Sequence, residues 1–373
     1  MRVLVVNAGS SSVKLRLLEG DELVRLADLP ATADGFDRAG FAAAIDGWPT
    51  PDAVGHRIVH GGTAFSGPVR IDPDVRRRLQ ELTDLAPLHQ PKSLAALDIV
   101  TAELPGPAAV GCFDTAFHAT IPEEASTYAI PLEWRERWAI RRYGFHGLSH
   151  AYASRRACEL AGRPLGELRI VTCHLGAGAS LAAVVDGRSV DTTMGFTPLE
   201  GLVMATRSGT VDPGLVLWLE SHEHLSPHEI SKVLETRSGL LGLTGTADMR
   251  EVEAAAGGGD ARARLGFGVY IHRLAGEIAS MAAAAGGLDV VVFTGGVGEH
   301  SPGVRRAVTR RLGFLGVTVD DDRNARALAD ADISAAGSPV GTFVVTARED
   351  LQIAGEVRTL FDELGDGDRP QAP

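Results

Sequence analysis

Apolar and polar positions along this chain fall into two rhythms that recur half a chain apart. Val3, Leu4, Val5 and Val6, mostly β-branched, predict a short buried strand. Small and hydroxylated residues follow (Asn7, Ala8, Gly9, Ser10, Ser11, Ser12), and Val13 to Leu18 then predict a returning strand. Ile170 to Val185 repeats the plan around Gly176, Ala177 and Gly178. The sequels match as well. Leu15–Leu18, a turn at Glu19–Asp21 and Glu22–Leu26 read as strand, turn, strand; so do Leu181–Val185, Asp186–Gly187 and Arg188–Thr192, where Asp-Gly is a strong hairpin signal. The repetition predicts a duplicated domain.

Elsewhere, apolar runs predict strands over 53–59, 108–113, 288–293 and 339–345. Helical spacing predicts helices over 74–85, 92–104, 149–160, 213–223, 227–237, 261–285 and 348–364. Residues 31–48 read as a helix with loops, and 121–138 as an insertion or interface loop. Turn-rich chemistry marks 195–201, 206–209 and 238–248; 257–260 reads as a flexible connection and 365–373 as a disordered tail.

A chain of 373 residues with 45% hydrophobic content can fill two domain cores. Its formal charge of −12 argues against a nucleic-acid surface, so an anionic substrate would have to meet locally placed Arg and Lys. Cys112, Cys158 and Cys173 are odd in number and lack metal spacing, which suits reduced thiols in a cytoplasmic enzyme. The N-terminus runs straight into a strand, and no apolar run approaches the ~20 residues of a membrane helix, so neither a signal peptide nor a membrane partner is expected.

The familiar phosphate and metal motifs are missing: there is no GxxxxGK[ST], no protein-kinase set and no HExxH. His56/His60 and His146/His150 have i, i+4 spacing, but Gly144 and Gly147 speak against the helix a zinc pair at His146 would need. What the chain offers is glycine loops after strands. Besides the two hairpin loops there is Gly295-Gly296-Val297-Gly298, which can turn backbone N–H groups toward a phosphate or nucleoside, although Ser301 stands where a dinucleotide fingerprint has its third glycine. Arg57 and Arg207 lie beside glycines, where guanidinium groups could neutralise a transferring phosphoryl group. Asp114 ends a strand and could orient a substrate group; Glu349 follows a strand and could hold Mg²⁺ directly or through water. Each has a plainer reading as a surface ion pair, a helix cap or a solvated first-turn acid.

Assembled, these residues lie in long motifs: NAGSSSVK from Asn7, GHRIVHGG from Gly55, LAPLHQP from Leu85, FDTAFH from Phe113, RYGFHGLSH from Arg142, HLGAGAS from His174, DTTMGFTPLEGLVMATRSGTVDPG from Asp191 and FTGGVGEHS from Phe293. Over nearly its whole length the chain resembles the acetokinase family, within the actin, hexokinase and heat-shock chaperone superfamily. The resemblance implies two duplicated ribonuclease H-like (actin-like ATPase) βββαβαβα domains flanking a cleft, 1–148 with 350–373 and 149–349, and a homodimer. It implies reversible in-line transfer of the ATP γ-phosphate to acetate, giving acetyl phosphate and ADP, with Mg²⁺ or Mn²⁺. By motif match, Arg57, Asp114, His146 and Arg207 would be catalytic, with His146 and Arg207 stabilising the transition state and Asp114 orienting the phosphoryl group. Arg57, Val59, Leu88, Phe145 and Pro198 would bind acetate, the last four around its methyl, with His89 in support. Asn7 and Glu349 would organise the metal. Lys14, His174, Leu175, Gly176, Ala177, Gly178, Asp248, Met249, Arg250, Gly296, Val297, Gly298 and His300 would bind the nucleotide.

Three departures bear on the donor. Ala177 stands where family members usually carry Asn, His300 replaces the usual Asn after GxGE, and Arg348 replaces the Asn before Glu349. The stretch between Leu18 and Ala53 is also short for the family. Two alternatives stay open: a kinase for propionate or another short carboxylate, or one with a different phosphoryl donor; and a nucleotide-gated binding protein built on the same hairpins. The second would need no acetate pocket, and chaperones of that kind add a peptide-binding domain for which no sequence remains here.

Overall fold

The computed structural model describes residues 1–9, 12–31, 36–86 and 90–364. Part of the first hairpin loop, Leu88, His89 and the expected tail therefore lie outside the described residues. Residue contacts divide the chain into two units: Met1–Ala119 with Phe145–Tyr152 and Arg348–Pro373, and Thr120–Gly144 with Ala153–Ala347.

In the first unit, β1 (Arg2–Ala8), β2 (Ser12–Glu19) and β3 (Glu22–Pro30) form an antiparallel meander. β4 (Ala53–Ile58) adds parallel to β1, β6 (Ala108–Phe113) parallel to β4, and the short β5 (Val69–Arg70) closes the edge antiparallel to β6. The sheet order is β3-β2-β1-β4-β6-β5. Successive residues of β1 serve opposite faces, as the two-residue strand period requires. Val3 and Val5 pack with Ile353, Ala354 and Val357 of the terminal helix, while Leu4 and Val6 pack with Phe41, Ala96 and Val100 from the helices on the other face. Gly55 on β4 is what lets the terminal helix lie this close, because a Cβ there would press on Ile353 and Val357.

The second unit repeats the plan. β7 (Arg169–Leu175), β8 (Ala179–Val185) and β9 (Arg188–Thr192) form the meander. β10 (Val290–Thr294) joins parallel to β7, β12 (Gly341–Val344) parallel to β10, and the short β11 (Ala331–Asp332) closes the edge antiparallel to β12. Read from the meander, the order β9-β8-β7-β10-β12-β11 matches the first sheet strand for strand. The predicted duplication is therefore present as two six-stranded mixed sheets with helices, an actin-like α/β architecture. The Ala-rich helix 261–284 packs along β7, β8 and β9 and buries Ile271, Leu274 and Ile278.

Two stretches read as turns or loops are helical, and a further helix lies where no element was expected. Gly239–Thr244 and Met249–Gly257 are helices, the latter capped by the Asp248 carboxylate. Residues 295–298 belong to a six-residue helix, Gly295–His300, that starts directly off β10. Glycines hid Gly239–Thr244 and Gly295–His300 because propensity scores glycine as a breaker, whereas packing overrides it, on the helix 261–284 for the first and on β7 and β10 for the second.

Candidate active site

The first unit gathers its charged residues by register. β1, β4 and β6 are adjacent and parallel, with Val6 paired to His56, and Arg57 to Cys112. Asn7, Arg57 and Asp114 consequently sit together at the carboxyl ends of three neighbouring strands, where ligands of open α/β sheets bind. The Asp114 N–H donates to the Ile58 carbonyl (3.0 Å), fixing the residue just past its strand.

Arg57 Nη2 donates to Asp114 Oδ2 at 2.6 Å, and Nε reaches both carboxylate oxygens at 3.1 Å. Its Nη1 donates to Asn7 Oδ1 (3.1 Å), and Asn7 Nδ2 donates to Glu349 Oε2 (2.6 Å). A single chain of hydrogen bonds thus runs Asp114, Arg57, Asn7, Glu349. The Arg57 side chain is 15% exposed and that of Asp114 2%, so the pair is largely desolvated. Burial is the strongest influence on Asp114 and pushes its carboxyl up; Arg57 pulls it back down, and the charge of Glu349 adds to the upward push. Burial also acts to lower Arg57, but the Asp114 and Glu349 carboxylates outweigh it and raise the guanidinium further above its ordinary range. Lys14 lies across the meander from Asn7, paired with it in register, and is exposed.

His146 stands immediately before the helix Gly147–Ala161 and adopts a left-handed backbone, φ +57°. A non-glycine residue held there carries strain that the surroundings must enforce. They do so on both sides. The ring of His118 donates from Nε2 to the Phe145 carbonyl (3.0 Å), and the Gly147 N–H donates to the Asp114 carbonyl (2.8 Å). A side chain at Gly147 would overlap that same carbonyl. His118 was not among the expected site residues, although it closes the FDTAFH motif. It is buried, and burial lowers its pKa to about 4, so it holds Phe145 as a neutral imidazole. Val59 and Phe145, two expected wall residues of the acetate pocket, are both buried in this unit.

The second unit carries the rest. Arg207 is half-buried, its pKa lowered chiefly by burial, and its Nη1 donates to the Pro198 carbonyl at 2.8 Å. Thr294 pairs with His174, so the turn Gly176–Gly178 and the helix Gly295–His300 leave neighbouring strand ends. Ala177 is exposed at the tip of its turn, and its carbonyl accepts from the Ala205 N–H (3.1 Å). Glu299 Oε1 accepts from the N–H of Gly295 and that of Ala347, both at 3.0 Å. Gly296 and His300 are exposed, Val297 is half-buried and Gly298 is buried. Asp248 and the exposed Arg250 bond each other (2.5 Å at the closest), while Met249 is buried.

The oxygen donors of Asn7, Asp114 and Glu349 are hard ligands. Among the described residues there is no group of three or more His, Cys, Asp or Glu able to cage a metal. Oxygen ligands of this kind suit Mg²⁺ or Mn²⁺ shared with substrate phosphates and water, rather than a softer metal bound by thiolate or imidazole.

Fold and site together define a two-unit α/β phosphotransferase of the actin-like ATPase type. The chain belongs to the acetokinase family, whose sequence profile matches residues 48–355. It is 46% identical to an acetate kinase of Clavibacter michiganensis, over 94% of this chain and 97% of that one. Its fold superposes on the crystal structure of Porphyromonas gingivalis acetate kinase with a TM-score of 0.88 at 38% identity, covering 96% and 99% of the two chains. A propionate kinase from Francisella tularensis is similar too, with a TM-score of 0.87 at 35% identity over 95% and 98%.

Proposed function

We propose that this enzyme transfers the γ-phosphate of ATP to acetate, reversibly, forming acetyl phosphate and ADP. The observation that carries the reading is the Asp114–Arg57–Asn7–Glu349 chain at the ends of three parallel strands, in a member of this family. Acetate is already ionised at neutral pH, its carboxyl resembling that of Glu at ~4.3, so no general base is required. The task is to bring two anions together.

An acetate oxygen attacks the γ-phosphorus as the bond to the bridging oxygen of ADP breaks. Arg57, oriented by Asp114, meets the acetate carboxylate. Arg207 and His146 donate to the phosphoryl oxygens as charge redistributes. Val59, Leu88, Phe145 and Pro198 are the residues expected to face the methyl, Leu88 lying outside the described residues. Lys14, residues 174–178, Gly296, Val297, Gly298 and His300 of the short helix Gly295–His300, and residues 248–250 hold the nucleotide. Glu349 and Asn7 are the residues that would hold Mg²⁺, which when bound neutralises phosphate charge.

The likeness to a propionate kinase keeps a second reading, since one methylene is worth only ~1–3 kcal/mol of discrimination. Trapping the acyl phosphate with hydroxylamine, across acetate and propionate and across ATP and pyrophosphate, separates the readings. The expected result is highest kcat/KM with acetate and ATP; turnover with pyrophosphate alone would overturn the donor assignment. Arg207→Ala should lower kcat by roughly 10²–10³-fold.

A homodimer is proposed on a surface feature. Helix Pro213–His222 buries none of its side chains and exposes Leu215, Leu217 and Trp218, and its neighbour, helix Pro227–Thr236, exposes Val233. Exposed apolar residues on two neighbouring helices support an association surface. Light scattering should give twice the chain mass, falling to one with Trp218→Glu.

A further inference from the structure

Residues 121–138 read as an insertion or interface loop, yet the segment 120–144 that contains them holds part of the site in place. Tyr128 Oη donates to Glu200 Oε2 (2.5 Å) and accepts the Phe196 N–H (2.9 Å). Arg142 Nη2 donates to Glu200 Oε1 (3.0 Å), and its Nη1 reaches the carbonyls of Thr192, Thr193 and Met194 at 3.0, 3.3 and 3.2 Å. The N–H groups of Tyr143 and Gly144 converge on the Gly195 carbonyl. A Cβ at Gly195 would displace both Glu200 Oε2 and the Tyr128 oxygen from this contact. Burial, then Glu200, raises the Tyr128 hydroxyl, which keeps it a donor at all working pH values. At the end of this fastened loop the Pro198 carbonyl accepts from Arg207 Nη1. A guanidinium with one backbone anchor goes where that anchor goes.

We infer that Tyr128, Arg142 and Glu200 are positioning residues for Arg207, acting by fixing the 192–198 backbone so that the Pro198 carbonyl aims the guanidinium. The inference rests on the role given to Arg207 above. Tyr128→Phe deletes both hydroxyl bonds and keeps the ring. It should lower kcat roughly 10- to 100-fold, the scale of a misplaced reacting group, while the KM for ATP stays within about twofold. A purely structural role would lower the melting temperature without that split. The decisive measurement is the double-mutant cycle with Arg207→Ala, where Tyr128→Phe should cost less than about twofold because the group it aims is gone. An equal loss in both backgrounds, or unchanged kcat in folded Tyr128→Phe, overturns the inference and leaves the role of Arg207 intact. Near-normal turnover of Arg207→Ala itself overturns both. Should Tyr128→Phe fail to fold, Glu200→Gln, which keeps an acceptor for the tyrosine but removes the charge facing Arg142, is carried through the same cycle with the same expected outcomes.

Discussion

Single side chains here act mainly through the partner they hold. Asp114 is the clearest case, because it is buried and bonded to a buried cation. Truncating one member of such a pair leaves the other uncompensated, so Asp114→Ala should cost about 3–5 kcal/mol of stability as well as turnover, read by urea denaturation beside the hydroxamate assay. Ala177 offers a gain instead. It is exposed between two glycines at a strand end, and one neutral hydrogen bond is worth about 0.5–1.5 kcal/mol. Ala177→Asn should therefore lower the KM for ATP by roughly two- to tenfold, measured at saturating acetate; an unchanged KM would mean that the donor phosphate does not lie against this turn. Arg57, Asp114, Asn7 and Glu349 were each legible in the sequence as polar residues at the ends of apolar strands. His118, Tyr128, Arg142 and Glu200 were not assigned, because what they hold is backbone distant in the chain, and no local pattern announces such a partner.

At the scale of elements, strands were easier to read than the pieces joining them. A run such as Ala108–Phe113 is apolar on both faces, and its pattern alone marks a buried strand. The helix Gly147–Ala161 was legible over 149–160, but its start was not. Its first residue is a glycine, its preceding residue is a left-handed histidine, and its position is set by the Asp114 carbonyl. Gly147→Ala must push the helix start away from Asp114, with an overpacking cost of roughly 1–3 kcal/mol and a fall in kcat without a matching rise in the KM for ATP. Differential scanning fluorimetry and steady-state kinetics on the same preparation test this; a variant with unchanged melting temperature would show that the contact yields freely.

The first unit as a whole carries an acid sensitivity. His56, His60 and His118 are buried, and burial lowers their pKa values from 6.5 to about 3, 4 and 4, with Asp98 opposing it weakly at His56 and the Phe145 carbonyl at His118. Among the described residues, neither ring nitrogen of His56 has a hydrogen-bond partner. Below pH 6.5 the unfolded chain takes up protons that the folded unit refuses until about pH 4, so stability is full above 6.5 and is lost as pH falls through that window. Each histidine should cost about 2 kcal/mol between pH 7 and pH 5. Melting temperatures measured across pH 5–8 should drop on the acid side, and His56→Phe should flatten the slope by about a third; an unchanged slope would clear His56 of the effect.

The duplicated hairpins, the apolar strands and the polar residues at strand ends were determined by the sequence itself, since hydrophobic period and turn chemistry are local properties that two similar halves display twice. Only the tertiary structure decided that Asn7, Arg57, Asp114 and Glu349 form one hydrogen-bonded chain, that 120–144 fastens the loop bearing Pro198, and that glycine-rich segments are helical. Those facts depend on strand register and on packing between residues far apart in the chain, and long-range contacts leave no period in the sequence that joins them.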